Sequence, residues 1–272
     1  MTGPIQLRAI GLIAPGMPDW ASAAAILRGD ARYRETALPP LTASLLPPNE
    51  RRRATLPTRL ALEVAQQATR AGGAEPSGLA SVFASADGDL DLVDRLCRCL
   101  AETPESLSPT LFHNSVHNAV AGYWSIATHC MEPSTSIAAG DGTFAAGLLE
   151  CATQLGGDRR EILLVAYDLP GPPPLAEHRP ILFPFACALL LGLDPGPPRL
   201  ATLALDLVAP SPSVADTALP PDLERMRRGN PAARVLPLLQ SLAQGRSGRL
   251  QLEYLDGLAL AVELVCHDHA AG

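Results

Sequence analysis

Asp141 is the residue whose setting carries the most chemistry. It stands between Gly140 and Gly142 in SIAAGDGTFAAGLL, where a β-prone run gives way to a helical one. Such a turn lifts one side chain onto the N-terminus of a helix, where main-chain N–H groups and the helix dipole favour negative charge. Enzymes place Ser or Cys at that point as a nucleophile; this chain places a carboxylate. A carboxylate there is a poor nucleophile, and the role it suits is capping its own helix. With a second titratable group beside it, Asp141 would instead serve as a general base on a small acyl substrate. His113 and His117 are the candidates for that second group.

Other residues offer weaker chemistry. His113 and His117 are four apart, a spacing that on a helix puts both on one face, as a metal pair requires. No third ligand stands near them in sequence, and no metal is assigned. Arg51, Arg52 and Arg53 form a basic run, read as a solvated turn before a helix ahead of an anion site. Ser85-Ala86-Asp87-Gly88 reads as a strand end with an Asp opening a helix. Asp168 and Glu177 are loop acids with no partner in view. Cys130 and Cys151 fall on apolar helix faces as small core residues, and after Pro180 the only histidines are His267 and His269.

The elements that must hold these residues follow from periodicity and punctuation. Strands are expected over 5–13, 79–85, 134–139, 162–167, 185–193 and 200–208. Helices are expected over 20–27, 58–71, 89–100, 118–129, 141–155 and 231–243. The 58–71 helix has apolar residues at i, i+3, i+4 and i+7, with Pro57 at its start and Gly72-Gly73 at its end. ILLVAY over 162–167 is apolar on both faces, as in a sheet covered on both sides. The stretch 108–117 is expected as a loop, 33–49 as irregular, and 209–221 as a mobile loop. At the C-terminus, LQLEYL and LALAVEL flank Asp256-Gly257 and predict a tight hairpin. Strand and helix alternate, so the fold class is α/β.

Bulk properties narrow the classes of function. The chain has 272 residues, 47% hydrophobic and 4% aromatic, with a formal charge of −7. That balance argues against a nucleic-acid partner. No apolar run reaches the ~18–20 residues of a membrane span. MTGPIQLRAIG lacks a basic region followed by an apolar run, so no signal peptide is expected. Six cysteines without a CxxC pair suit a reduced, cytoplasmic setting.

The order of elements, the segment PTLFHNSVHNAVAGYWSI and the turn SIAAGDG resemble the N-terminal half of a β-ketoacyl synthase over residues 5–207. The most specific part is Pro109 followed by Asn118 and Ala121-Gly122, spaced as condensing enzymes space them before the nucleophile turn. More narrowly, the chain resembles the short chain-length-factor proteins of aryl-polyene and xanthomonadin-type pathways. The resemblance implies one thiolase-like domain over 1–272. Residues 1–207 would be the ketosynthase N-terminal-like core, and 208–272 a strongly trimmed C-terminal part with a helix and a terminal hairpin.

The resemblance also implies a catalytic Cys where Asp141 stands, and two catalytic histidines in a C-terminal half too short to supply them. A catalytically silent homologue is therefore expected, with no cofactor. It would pair with an active β-ketoacyl synthase subunit in a heterodimer, meet an acyl carrier protein through that complex, and help set product length. By position in the family, Leu111, Phe112, Ser115 and Asn118 lie at the end of the partner's acyl tunnel or at the interface. Val120, Tyr123, Trp124 and Ile126 on the 118–129 helix are expected to be buried by the partner, leaving the isolated chain poorly soluble. A purely structural, ketosynthase-stabilising subunit is the other non-catalytic reading.

Overall fold

The computed structural model describes residues 3–102, 107–157, 161–211 and 219–267. The expected loop over 209–221 lies partly outside them, at 212–218, and so does His269. β1 (Ile5–Ile13) is apolar almost throughout and almost wholly buried. α1 (Trp20–Arg28) opens on Asp19, whose carboxylate accepts from Ser22 N at 2.7 Å. Residues 33–43 form no helix or strand. The basic run is not a turn: it ends a short helix, α2 (Pro48–Arg53), which starts on a proline. There Arg51 donates to the carbonyls of Ser44 and Leu46 at 3.0 and 2.8 Å, so its charge is spent inside the chain.

α3 (Leu56–Gly72) closes on Gly73, which takes the left-handed conformation (φ 63°) that a C-terminal cap needs. β2 (Ala80–Ala84) leads through a turn to α4 (Leu90–Glu102), capped by Asp89 through Leu92 N at 3.0 Å. The stretch expected as a loop before residue 118 contains a helix, α5 (Pro109–Asn114). Ser108 caps it and Pro109 begins it, two signals for a helix start that the neighbouring histidines obscured. α6 (Ala119–Thr128) and β3 (Ser134–Ile137) follow. Cys130 lies just past α6 and not on a helix face; its thiol donates to the Leu79 carbonyl.

A 3-10 turn at Gly140–Gly142 joins β3 to α7 (Thr143–Leu155). Then come β4 (Glu161–Asp168), α8 (Leu175–His178), β5 (Phe185–Gly192) and β6 (Ala201–Val208). The helix α9 (Pro221–Arg228) was not foreseen, since its sequence PDLERMRR shows too few apolar residues to reveal a period. The helix expected over 231–243 is split: a 3-10 turn at Ala232–Val235 precedes α10 (Leu236–Ala243), with Pro237 in its first turn. β7 (Gly248–Glu253) and β8 (Ala259–Cys266) form the terminal hairpin. Its connection is wider than the tight turn expected, because Glu253 pairs with Ala259 and residues 254–258 remain as a loop.

The described strands form one eight-stranded sheet in the order β3-β2-β4-β5-β1-β6-β8-β7. β2 runs parallel to β3 and β4; every other pairing is antiparallel. Side chains alternate across it as the two-residue strand period requires. On β4, Ile162, Leu164 and Ala166 point into the core shared with α1, α7 and α10. Leu163, Val165 and Tyr167 point into the opposite core with α3 and α6. Helices thus cover both faces of the sheet, as the apolar run at 162–167 predicted. On α6, Val120, Tyr123 and Trp124 fill that second core from within the same chain. Of the four α6 side chains assigned to a partner, only Ile126 stays exposed, so the apolar bulk of α6 is no argument for insolubility.

Candidate functional site

β3 ends where the 3-10 turn carries Asp141 out of the sheet, ahead of α7. The carboxylate does not cap the helix. Thr143 does the local work: its hydroxyl accepts from Ala139 N at 2.9 Å and donates to the Gly140 carbonyl at 2.6 Å. Because α7 begins at Thr143, two residues beyond Asp141, the carboxylate reaches outward and meets two guanidinium groups. Arg179 Nη1 lies 2.9 Å from Oδ1 and Arg234 Nη2 lies 3.3 Å from Oδ2. Burial lowers the pKa of Arg179, but hydrogen bonds and charge from Asp87 and Asp141 outweigh it and push the value up. Asp141, Arg227, Arg234, Leu252, Tyr254 and Leu258 border a cavity of about 410 Å³.

A carboxylate with each oxygen against a guanidinium has both its acceptor atoms engaged and offers neither freely to a substrate. Neither histidine reaches it as a relay. His117 donates from Nε2 to the Ser85 carbonyl at 2.9 Å, and His113 lies beside Asn114 on exposed α5. Among the described residues no three His, Cys, Asp or Glu side chains converge as metal ligands. The thiol nearest in sequence to the turn, Cys151, is wholly buried on α7, and burial pushes its pKa well up. His267 Nε2 lies 2.8 Å from the Thr202 hydroxyl, at the far end of the sheet.

The residues assigned to an acyl tunnel or interface lie apart from Asp141. Phe112 is 63% exposed on α5, Leu111 is half-buried and Asn118 is exposed. Ser115 donates to the Phe112 carbonyl at 2.8 Å and borders a small cavity of about 70 Å³ with Thr58, Val93, Val116, Val120 and Tyr167. Of the four, Ser115 alone lines this chamber, and none lines the cavity at Asp141.

Asp168 corrects the sequence reading most sharply. It is no loop acid but the wholly buried end of β4. Ser85 Oγ and Ala86 N donate to its Oδ1 at 3.0 and 2.8 Å, while Oδ2 is buried with no hydrogen-bond partner. Burial pushes its pKa up to about 7, against the pull of the Ala86 and Ser85 hydrogen bonds and a weaker one from the Asp87 main chain. Gly88 N in turn donates to Ser85 Oγ at 2.9 Å, so Asp168 shapes the turn that presents Asp87 to Arg179. Glu177 lies on α8.

The family model for the β-ketoacyl synthase N-terminal domain matches residues 20–248. No curated protein sequence matches the chain. Among solved structures it is similar to a ketosynthase in complex with its chain length factor from Xenorhabdus doucetiae. The identity there is 24%, over 97% of this chain and 99% of that one, with a TM-score of 0.71. It is similar to the ishigamide ketosynthase/chain length factor at 15% identity, over 98% of this chain and all of that one (TM-score 0.75). A β-ketoacyl synthase from Burkholderia phymatum matches at 10% identity, again over 98% of this chain and all of that one (TM-score 0.70). The mixed sheet and these superpositions are those of the thiolase-like ketosynthase fold.

Proposed function

This chain belongs to the β-ketoacyl synthase N-terminal-domain family, and from that premise we propose that it is a catalytically silent member acting as a chain length factor. The observation that carries the reading is the Asp141 carboxylate, clamped by Arg179 and Arg234 where a nucleophile would stand. Condensation begins with a group that attacks a thioester, and a carboxylate paired with two arginines is a poor nucleophile for that step. The general-base reading of Asp141 is weaker, since both its oxygens are engaged and His117 serves Ser85.

The partner in this reading is an active β-ketoacyl synthase, with an acyl carrier protein reached through the complex. The pairing of a ketosynthase with its chain length factor in the Xenorhabdus doucetiae structure supports it. So does the sheet itself. β3 is an edge strand of sequence STSI, with neither charge nor proline to blunt its free side. Phe112, Val116, Ile126 and Met131 stand exposed on the elements before it, Met131 at 94%. A ketosynthase seated there would bring Leu111, Phe112, Ser115 and Asn118 to the end of its acyl tunnel. The pathway we favour is aryl-polyene or related polyketide-type elongation in the cytoplasm. No helix among the described residues is long and apolar enough to cross a membrane. The unbroken sheet supports one domain over 1–272, with a core at 1–207 and a trimmed part at 208–272.

The test is direct. The purified chain, given acyl and malonyl thioesters, should form no condensation product and show no mass adduct, and co-expression with its ketosynthase should yield a heterodimer that condenses. An adduct on Asp141, or condensation by the chain alone, sinks the reading. A purely structural subunit is told apart by product length, which Leu111 and Ser115 variants would then leave unchanged.

A further inference from the structure

Asp141 is one link in a longer chain of charges. Arg179, which holds its Oδ1, also donates from Nε to Asp87 Oδ2 at 2.9 Å. Arg234, which holds its Oδ2, also reaches Glu253 Oε2 at 2.7 Å. Glu253 Oε1 lies 2.6 Å from Arg227 Nη1, and Arg227 meets Glu224 through both Nε and Nη2 at 2.8 Å. The series Asp87, Arg179, Asp141, Arg234, Glu253, Arg227, Glu224 therefore alternates in sign from the turn after β2 to α9 and the end of β7. At the same place Gly142 lies against the main chain of Tyr254, so closely that a Cβ at 142 would run into the Tyr254 carbonyl.

We propose that the turn at Asp141 is the receptor for this chain's own C-terminal hairpin, with Asp141 as the anchoring carboxylate. Exposed ion pairs contribute little to stability, but the two arginines that touch Glu253 are largely buried. A largely buried guanidinium that loses one of its carboxylates keeps its desolvation cost, and that loss is severe. Arg234 Nε and Arg179 Nη2 are already buried without a hydrogen-bond partner, and besides its carboxylates Arg234 meets the Arg228 carbonyl at a long 3.4 Å. The base of the hairpin is held by Leu252, Leu260 and Val262 in the core. Its tip, residues 254–258, depends on the anchor. The anchor is separate from the partner reading above: it is a contact within one chain, and it exists whether or not a ketosynthase binds.

Hydrogen exchange on the full chain, alone and in its complex, tests this. In Asp141→Asn, amides over residues 253–259, the tip and the residue on either side of it, should exchange at least tenfold faster, while those over 162–167 in the central sheet keep the wild-type rate. Glu253→Gln, which cuts the next link from a half-exposed position, should give the same local pattern, and Asp141→Glu should restore protection. Exchange within twofold of wild type at the hairpin in both Asp141→Asn and Glu253→Gln would overturn the proposal. So would acceleration spread equally over the hairpin and the central sheet, or an Asp141→Glu variant no better protected than Asp141→Asn.

Discussion

Asp168→Asn is expected to leave stability nearly unchanged at pH 4 and to raise it by several kcal/mol at pH 8.5. The wild-type carboxyl has a pKa of about 7 in the folded chain, pushed up chiefly by burial. In the unfolded chain the value is ~3.9. Between those values the folded state binds the extra proton, so stability falls as pH rises from ~4 to ~7 and is level above that. A shift of three units corresponds to about 4 kcal/mol. Asparagine keeps the Oδ1 that accepts from Ser85 and Ala86. Its Nδ2 takes the place of an Oδ2 that already has no partner. At low pH the acid form buries one polar hydrogen at that atom and the amide two, a small difference beside the charge that is removed at high pH. Urea midpoints of both proteins measured from pH 4 to 8.5 give the answer, since other titrating groups cancel in the difference. A difference that stays flat with pH, or a variant less stable than wild type at pH 8.5, would show that Asp168 carries its charge at little cost.

The ease with which the sequence yields each element tracks how local its cause is. β1 and β4 are legible because both faces are apolar, and α3 because its 3.6-residue period sits between Pro57 and Gly73. The asymmetric turn at Asp141 is visible in three residues, GDG. Its consequence is not, because the partners Arg179 and Arg234 arrive from a proline-rich segment and from a 3-10 turn after α9. No window of sequence holds both sides of that contact. Asp168 is hidden for the same reason: an acid after ILLVAY looks like the start of a loop until Ser85, 83 residues away, supplies a hydroxyl. α9 escapes because Leu223 and Met226 are its buried apolar contacts, while its remaining face carries charge. The misreading of α6 is instructive in the opposite direction. Val120, Tyr123 and Trp124 read from the sequence as side chains that need burial, and the surface that buries them belongs to α3 and the sheet of the same chain.

That reassignment moves the weight of the proposed interface onto Phe112, and Phe112→Asp is expected to abolish assembly while leaving the isolated chain as stable as wild type. An aromatic side chain 63% exposed on a six-residue helix contributes little to the fold it stands on. Enclosed by a partner, the same ring becomes the kind of anchor on which a few residues carry most of the binding energy. A carboxylate in its place must be desolvated without a partner of opposite sign, and affinity for the ketosynthase should fall ~100–1,000-fold, about 3–4 kcal/mol. Phe112→Ala separates assembly from length control. It removes the ring without adding charge, so affinity should fall less than in Phe112→Asp, about tenfold; with the subunits well above that Kd the complex should form and, if the ring closes the acyl tunnel, release longer products. Ser115→Phe works in the other direction, by filling the small chamber between Val120 and Tyr167. Analytical ultracentrifugation of the paired subunits, followed by mass analysis of products from the assembled fraction, reads both effects. Unchanged affinity for Phe112→Asp would place the interface elsewhere on the chain. An assembled Phe112→Ala complex with the wild-type product distribution would keep the interface and remove Phe112 from the ruler.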